Sequence, residues 1–220
     1  MTPEFQLTIG LDLGAVFLFA LTGAWVAIRR EYDIVGVFTL ALVTGVGGGL
    51  LRDTFFVQQG SPAFMQDARY IWAVLAATVF AAMTYAIARR VERAVAAVDA
   101  LGLGTYAVVG VQKALAAGLS PLAAILVGVV NAVGGGLIRD VLVRDEPLLL
   151  KPGQYYTLAA LLGCVLFVAL QFYELEVVHA AWITIAAVFA MRMLAIRYNW
   201  QTGPMGFWQW RRRPRDGDRT

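Results

Sequence analysis

The chain has 220 residues, of which 60% are hydrophobic and only 15% charged, with 18 Lys and Arg against 15 Asp and Glu for a net charge of +3. Its mean hydropathy of +0.68 excludes an ordinary soluble domain and describes a polytopic membrane protein, because several apolar runs reach the roughly 18–20 residues that a bilayer crossing needs. One Cys, Cys164, excludes an intramolecular disulfide, and one His, His179, leaves no Cys/His cluster for zinc or copper.

Seven spans follow in order: Leu7–Ile28, Ile34–Leu51, Tyr70–Ala88, Val95–Ala117, Leu122–Val143, Thr157–Phe172 and Val177–Ile196. The expected class is therefore all-α, polytopic, with seven transmembrane helices. The first run lacks a basic leader, Glu4 being its flanking charge, so it reads as a retained span and not as a cleaved signal peptide. The connections are short. The longest, Thr54–Arg69, holds Gln58-Gln59, Gly60 and Pro62 and reads as a loop. After Trp200 comes a basic polar tail containing Arg211, Arg212, Arg213, Arg215 and Arg219. With the N-terminus outside, 14 basic residues fall on the inner side and only Arg52 and Arg69 outside. The positive-inside rule then places the C-terminus in the cytoplasm of a plasma-membrane protein. The tail reads as topology and anionic-lipid contact, with no nucleic-acid role.

Residues Gly47–Asp53 read GGGLLRD and Gly134–Asp140 read GGGLIRD, 87 residues apart. The same offset joins Asp12 to Asp99, Gly23 to Gly110, Ala27 to Ala114, Val46 to Val133, Arg52 to Arg139 and Asp53 to Asp140, without a gap. Each unit holds three spans, and an odd number reverses direction. The expected plan is two inverted three-helix repeats, 1–93 and 94–173, then a seventh helix at 174–199 and the basic tail at 200–220. Inverted repeats are a recurring design of transport proteins, with the working site near the midplane.

Three glycines weaken a helix by about 1 kcal/mol each relative to alanine, and any freed carbonyl needs a partner inside hydrocarbon. The triplets therefore read as helix breaks whose carbonyls, from Gly47, Gly48, Gly49, Gly134, Gly135 and Gly136, face an ion path, as in carbonyl filters. The bland alternative is close helix packing, which Gly110, Gly118 and Gly128 also suit. Thr44 and Asn131 are joined by the same offset, each about ten residues into its span. That is roughly 15 Å, half of a ~30 Å core, and places both at a central constriction.

At these residues the sequence resembles the trimeric intracellular cation (TRIC) channel family in its compact prokaryotic form. The doubled GGGL(L/I)RD, the pairs Leu11-Asp12 and Val98-Asp99, and the three-plus-three-plus-one plan carry the resemblance over nearly the whole chain except the tail. The resemblance implies a homotrimer with one pore per subunit, lined by the first two helices of each repeat, conducting monovalent cations, chiefly potassium, with Na+ as the other permeant ion. It implies no cofactor and no metal beyond the ions in transit. An older label on this family is glycine transporter, so a secondary carrier of a small zwitterion stands as the alternative. The chain offers no Ser/His/Asp arrangement and no GxxxxGK phosphate loop, so no enzyme is expected.

Asp12 and Asp99 sit near opposite ends of the bundle and read as pore-mouth acids, or as solvated span ends. Neighbours on a helix do not face each other, so Arg52 and Asp53, like Arg139 and Asp140, are expected to look apart. The repeat pairs Arg52 with Asp12 and Arg139 with Asp99, as braces or gates. Lys113, late in the fourth span, is a candidate voltage sensor, since one charge crossing the whole field is worth about 2.3 kcal/mol per 100 mV. Arg192 reads as snorkelling to the inner surface, His179 as interfacial, Cys164 as apolar filler, and Trp72, Trp182, Trp200, Trp208 and Trp210 as an aromatic belt.

Overall fold

A computed structural model describes residues 3–85, 91–150 and 155–200, with side chains from residue 9 onward and excluding that of residue 91. Arg89, Arg90, Lys151, Trp208, Trp210 and the tail arginines lie outside the described residues. The elements are α1 (Pro3–Arg29), α2 (Ile34–Leu51) running into a π-helical segment (Arg52–Val57), a short α3 (Ala63–Gln66), α4 (Arg69–Thr84), α5 (Val91–Ala116), α6 (Pro121–Leu142), α7 (Tyr156–Phe172) and α8 (Val177–Arg197). Among the described residues, five helical stretches are long and apolar enough to cross a membrane: Ile9–Arg29, Ile34–Val57, Glu92–Ala116, Pro121–Leu142 and Val177–Arg197. α4 and α7 are shorter, at 16 and 17 residues.

The repeat is visible in how the helices begin. Asp33 caps α2 by accepting from the Gly36 N–H at 2.7 Å. Ser120, 87 residues on, caps α6 through the Ala123 N–H, with Pro121 preset for the first turn. Within the first unit α1 packs on α2 and α4; within the second α5 packs on α6 and α7. The units meet where α1 faces α5 and α2 faces α6. Phe19 and its repeat mate Tyr106 stack there, with ring centroids 5.2 Å apart. Lys113, near the end of α5, reaches Asp12, in the first half of α1, so these two helices run antiparallel. α8 has no repeat mate and packs on α5 and α7.

The expected helix breaks are absent. Both glycine triplets lie inside continuous α-helix, and the Gly48 and Gly49 carbonyls take the Arg52 N–H inside the helix. The reason is the crossing of α2 and α6. A methyl group at Gly48 would overlap the Asn131 carbonyl oxygen, and one at Gly135 would overlap that of Thr44. A Cβ at Gly134 would come within 3.2 Å of the Gly48 Cα. The backbones touch, so the helical cost of glycine is offset by close packing and weak Cα–H···O contacts. Gly23 makes room for Thr44 where α1 crosses α2, and its mate Gly110 makes room for Asn131 where α5 crosses α6.

The stretch expected as a bare loop is also ordered. It opens with the π segment, closed by Gln58 in the left-handed region (φ 50°) with its N–H on the Asp53 carbonyl at 3.0 Å. Single π turns are common at functional sites. In the second unit the matching RD dipeptide stays α-helical, and only the closing bond, Asp145 N–H to Asp140 O at 2.9 Å, has the π spacing.

The crossing can be checked by stability in detergent. Gly48→Ala and Gly135→Ala must each push two backbones apart and should cost about 1–3 kcal/mol, seen as a lowered Tm. Gly14→Ala, which meets nothing within 4 Å, should leave Tm unchanged or slightly raised.

Candidate functional site

The two units build two charge clusters at opposite ends of the bundle. In the first, Asp12 of α1 is 1% exposed, and its Oδ2 accepts from the Lys113 ammonium at 2.6 Å and the Tyr70 hydroxyl at 2.7 Å and forms an ion pair with Arg52 Nη2 at 3.5 Å. Arg52, also 1% exposed, turns Nε back to Asp53 Oδ1 at 2.7 Å and extends Nη1 to Asn131 Oδ1 at 3.2 Å. Asp53 spends its other oxygen on the Ala63 N–H at 3.0 Å, fixing the start of α3.

The second cluster repeats this plan. Arg139 Nη1 lies 3.2 Å from Asp99 Oδ1 and donates to Thr22 Oγ1 at 3.0 Å. Its Nε and Nη2 both reach Asp140 Oδ1 at 2.9 Å, and Asp140 Oδ2 accepts the Leu148 N–H at 3.2 Å. Tyr156, one residue out of the 87 register with Tyr70, faces Asp99 over Gly136, where a Cβ would meet the Tyr156 hydroxyl at 3.0 Å. The guanidinium of Arg192 lies over the Tyr156 ring, 4.9 Å from its centroid.

Both arginine–aspartate pairs that the repeat predicts across helices are present. The expectation that adjacent Arg and Asp look apart is corrected, because a long guanidinium side chain curls back onto its neighbour's carboxylate while its other end crosses to the next helix. Asp12 and Asp99 are buried and not solvated span ends. Arg192, at 1% exposure, is not snorkelling. It meets the Tyr156 ring inside the bundle.

Between the clusters, Thr44 and Asn131 are fully buried. The Thr44 hydroxyl donates to the Leu40 carbonyl at 2.6 Å. Asn131 Nδ2 donates to the Tyr106 carbonyl at 2.7 Å while its oxygen takes Arg52. The Tyr106 hydroxyl donates to the Gly45 carbonyl at 2.5 Å. Sequence reasoning missed Tyr70, Tyr106, Tyr156 and Thr22; a tyrosine opening the third helix of each unit was the available signal.

A cleft of about 650 Å³ opens at the first cluster. Its walls include Asp53, Gln59, Ser61, Gln66, Tyr70, Gln112 and Gln171, and Lys113 lies at its base. Beyond Lys113 a second cavity of about 10 Å³ is bounded by Asp12, Gly49, Arg52 and Tyr106, room for about one water. Asp12 Oδ1, beside it, has no hydrogen-bond partner among the described residues. At the cleft rim, bonds from Arg69 hold the Asp67 carboxyl below its usual range, so it is ionised at neutral pH. Elsewhere, Cys164 is buried, His179 pairs with Glu176 at the surface, and Trp72, Trp182 and Trp200 are exposed. Ion pairs Arg29–Glu92 and Arg30–Asp145 lie at the other end of the bundle, where α1 ends.

Removing one partner of a buried pair leaves an unpaired charge, at about 3–5 kcal/mol. Arg52→Ala and Arg139→Ala should therefore lower thermal stability in detergent strongly. Arg30→Ala removes a partly exposed pair and should cost no more than about 1 kcal/mol. Equal effects from all three would contradict the burial of the clusters.

Comparison with known proteins follows the same lines. A family model described as "Glycine transporter" matches the chain twice, over residues 9–86 and 96–172, which are the two repeats. The UPF0126 inner membrane protein YadS of Escherichia coli K12 is 31% identical over 88% of this chain and 94% of its own length. A UPF0126 membrane protein of Deinococcus radiodurans is 36% identical over 70% of this chain and 71% of its own. Among solved structures, the TRIC trimeric intracellular cation channel orthologue from Rhodobacter sphaeroides superposes with a TM-score of 0.82 at 36% identity, covering 87% of this chain and 98% of that one. A prokaryotic TRIC channel crystallised in 0.5 M KCl gives 0.81 at 26% identity, covering 88% and 98%. The chain therefore belongs to the glycine transporter (UPF0126) family of multi-pass membrane proteins, has the fold of the prokaryotic TRIC cation channels, and is not an enzyme.

Proposed function

We propose that the chain is a potassium-permeable monovalent cation channel with seven membrane-spanning helices, working as a homotrimer with one pore in each subunit. The N-terminus and the cleft face outside, and the C-terminus is cytoplasmic. The path runs from the cleft past Lys113, Asp12 and Tyr70, between Thr44 and Asn131, and out past Asp99. The glycine triplets serve it by seating α2 against α6, and their carbonyls stay inside the helices. Arg52 and Arg139 brace the path, each neutralised by two carboxylates, which removes the barrier a bare guanidinium would raise against cations.

The observation that carries this reading is the base of the cleft. A water-accessible space ends on an ammonium ion, Lys113, which is 22% exposed and bonded to a carboxylate that is 1% exposed. Asp12 is where an entering cation would be drawn, and Lys113 holds that place. The structure is then the closed state, and opening requires Lys113 to leave Asp12. The likeness to TRIC cation channels supports the same reading. The family description "Glycine transporter" supports a second, a carrier of a small zwitterion in the same cleft.

Reconstitution of the pure protein in planar bilayers decides between them. Unitary currents in symmetric KCl support the channel. Saturable amino-acid counterflow with no such currents would overturn it in favour of the carrier. Within the channel reading, Lys113→Ala should raise open probability several-fold at inside-negative potentials. An unchanged voltage dependence would remove Lys113 from the gate.

A further inference from the structure

Lys113 has more donors than its partner uses. An ammonium carries three N–H groups, and among the described residues Lys113 makes one bond, to Asp12 Oδ2 at 2.6 Å. Because Lys113 also lines the cleft of about 650 Å³, the other donors are open to an occupant of it. Asp12 is less dependent on the pair. The same Oδ2 accepts the Tyr70 hydroxyl at 2.7 Å and pairs with Arg52 at 3.5 Å. A carboxylate entering the cleft would take the ammonium without leaving Asp12 unpaired. The rest of the wall divides by element. The segment after the π turn supplies the polar Gln59, Ser61, Gln66 and Asp67, while α5, α7 and α8 add the apolar Leu115, Phe167 and Val177. Gln66 spends its amide nitrogen on the Ser61 carbonyl, and Gln171 spends its own on the Leu175 carbonyl at 3.1 Å, so both amide oxygens are left to accept. Asp67 is held by Arg69 at 2.6 Å, and a carboxylate has further lone pairs to offer. An ion vestibule needs no apolar wall. Cavities of about 300–1,000 Å³ with apolar walls and a few placed polar groups are the usual form of a site for an organic ligand.

We propose, resting on the channel reading above, that the cleft binds a zwitterionic amino acid with an apolar side chain, and that this ligand opens the channel by drawing the Lys113 ammonium off Asp12. The ligand's carboxylate takes Lys113. Its own ammonium is met by the acceptors of the segment after the π turn, and its side chain by Leu115, Phe167 and Val177. Glycine has the same two charges and nothing for the apolar wall, so it binds more weakly. A bare carboxylate or a bare amine meets only part of the site. One amino acid does not fill the cleft, which leaves room beside it for water and ions. The ligand is an effector and not cargo, which separates this proposal from the carrier reading.

The test pairs equilibrium binding of radiolabelled leucine to the detergent-solubilised protein with planar-bilayer recording in symmetric KCl. Leucine should bind saturably and be displaced more readily by unlabelled leucine than by glycine, acetate or isoamylamine. No saturable binding, or equal displacement by any of the three, overturns the proposal. Lys113→Gln should abolish leucine binding. Leu115→Ala keeps every charge in place and should weaken leucine several-fold while leaving glycine unchanged, which keeps the site testable if Lys113→Gln does not fold. An unchanged leucine affinity in Leu115→Ala overturns the assignment of the apolar wall. In bilayers, leucine added on the cleft side should raise wild-type open probability several-fold and leave Lys113→Gln unaffected. KCl currents that leucine does not alter overturn the gating role and leave the channel reading standing. Leucine counterflow with no KCl currents overturns both, since leucine is then cargo.

Discussion

The close crossing of α2 and α6 is the constraint from which the rest of the site follows. Where the two glycine triplets meet, each backbone occupies the volume that a side chain on the other would need. This contact fixes the depth of Thr44 against Asn131 and brings the end of α2 within reach of α6. Only then can the Arg52 guanidinium span from Asp53 on its own helix to Asn131 on α6 and toward Asp12 on α1. Arg139 likewise leaves its own helix, but reaches Thr22 on α1 and not Thr44, the repeat mate of Asn131. Small residues are the means by which helices gain contact area in lipid, where burial from water supplies no driving force.

The charges in turn explain why the crossing can be polar on its flanks. An isolated ion in the membrane is costly, so each carboxylate here has a cation, and Arg52 and Arg139 each have two acids. Exchange between the clusters is prevented by distance, since they sit at opposite ends of the bundle. Asp53 and Asp140 each use one oxygen on the neighbouring arginine and the other on a backbone N–H of the following segment. One carboxylate thereby ties the arginine beside it to the segment that follows. Such a network favours a single arrangement, because losing either arginine leaves buried carboxylate oxygens unsatisfied.

The fold was legible in the sequence to the extent that it is written in period and repetition. The 87-residue offset gave the two units, their opposed direction and the partners Asp12–Arg52 and Asp99–Arg139. What misled was glycine. Counted alone, three consecutive glycines predict a break, because helix propensity considers one chain at a time. The deciding term is the neighbour's backbone, and that lies 87 residues away. Tyr70 and Tyr156 escaped notice because the segments between helices differ in length by one residue, which takes them out of register. Arg192 was misjudged for a related reason. Its distance from the helix end suggested the surface, and nothing local reveals that α7 offers it a ring.

A duplicated, inverted unit has a consequence for function that either unit alone would lack. Perfect twofold symmetry in the membrane plane would make the two mouths equivalent, and a field across the membrane would act on them as mirror images. The departures from symmetry are therefore where directionality can be stored. They are few: a π segment after α2 where the second unit stays α-helical, the cleft beside the first cluster, a tyrosine hydroxyl on Tyr106 where Phe19 has none, and the unmatched cations Lys113 and Arg192. The last two differ in chemistry as well as position. Lys113 is a primary ammonium on a flexible stem, partly open to the cleft. Arg192 is a guanidinium stacked on a ring and closed from solvent. The asymmetry that the repeat lacks is thus supplied by residues placed outside the repeated motif.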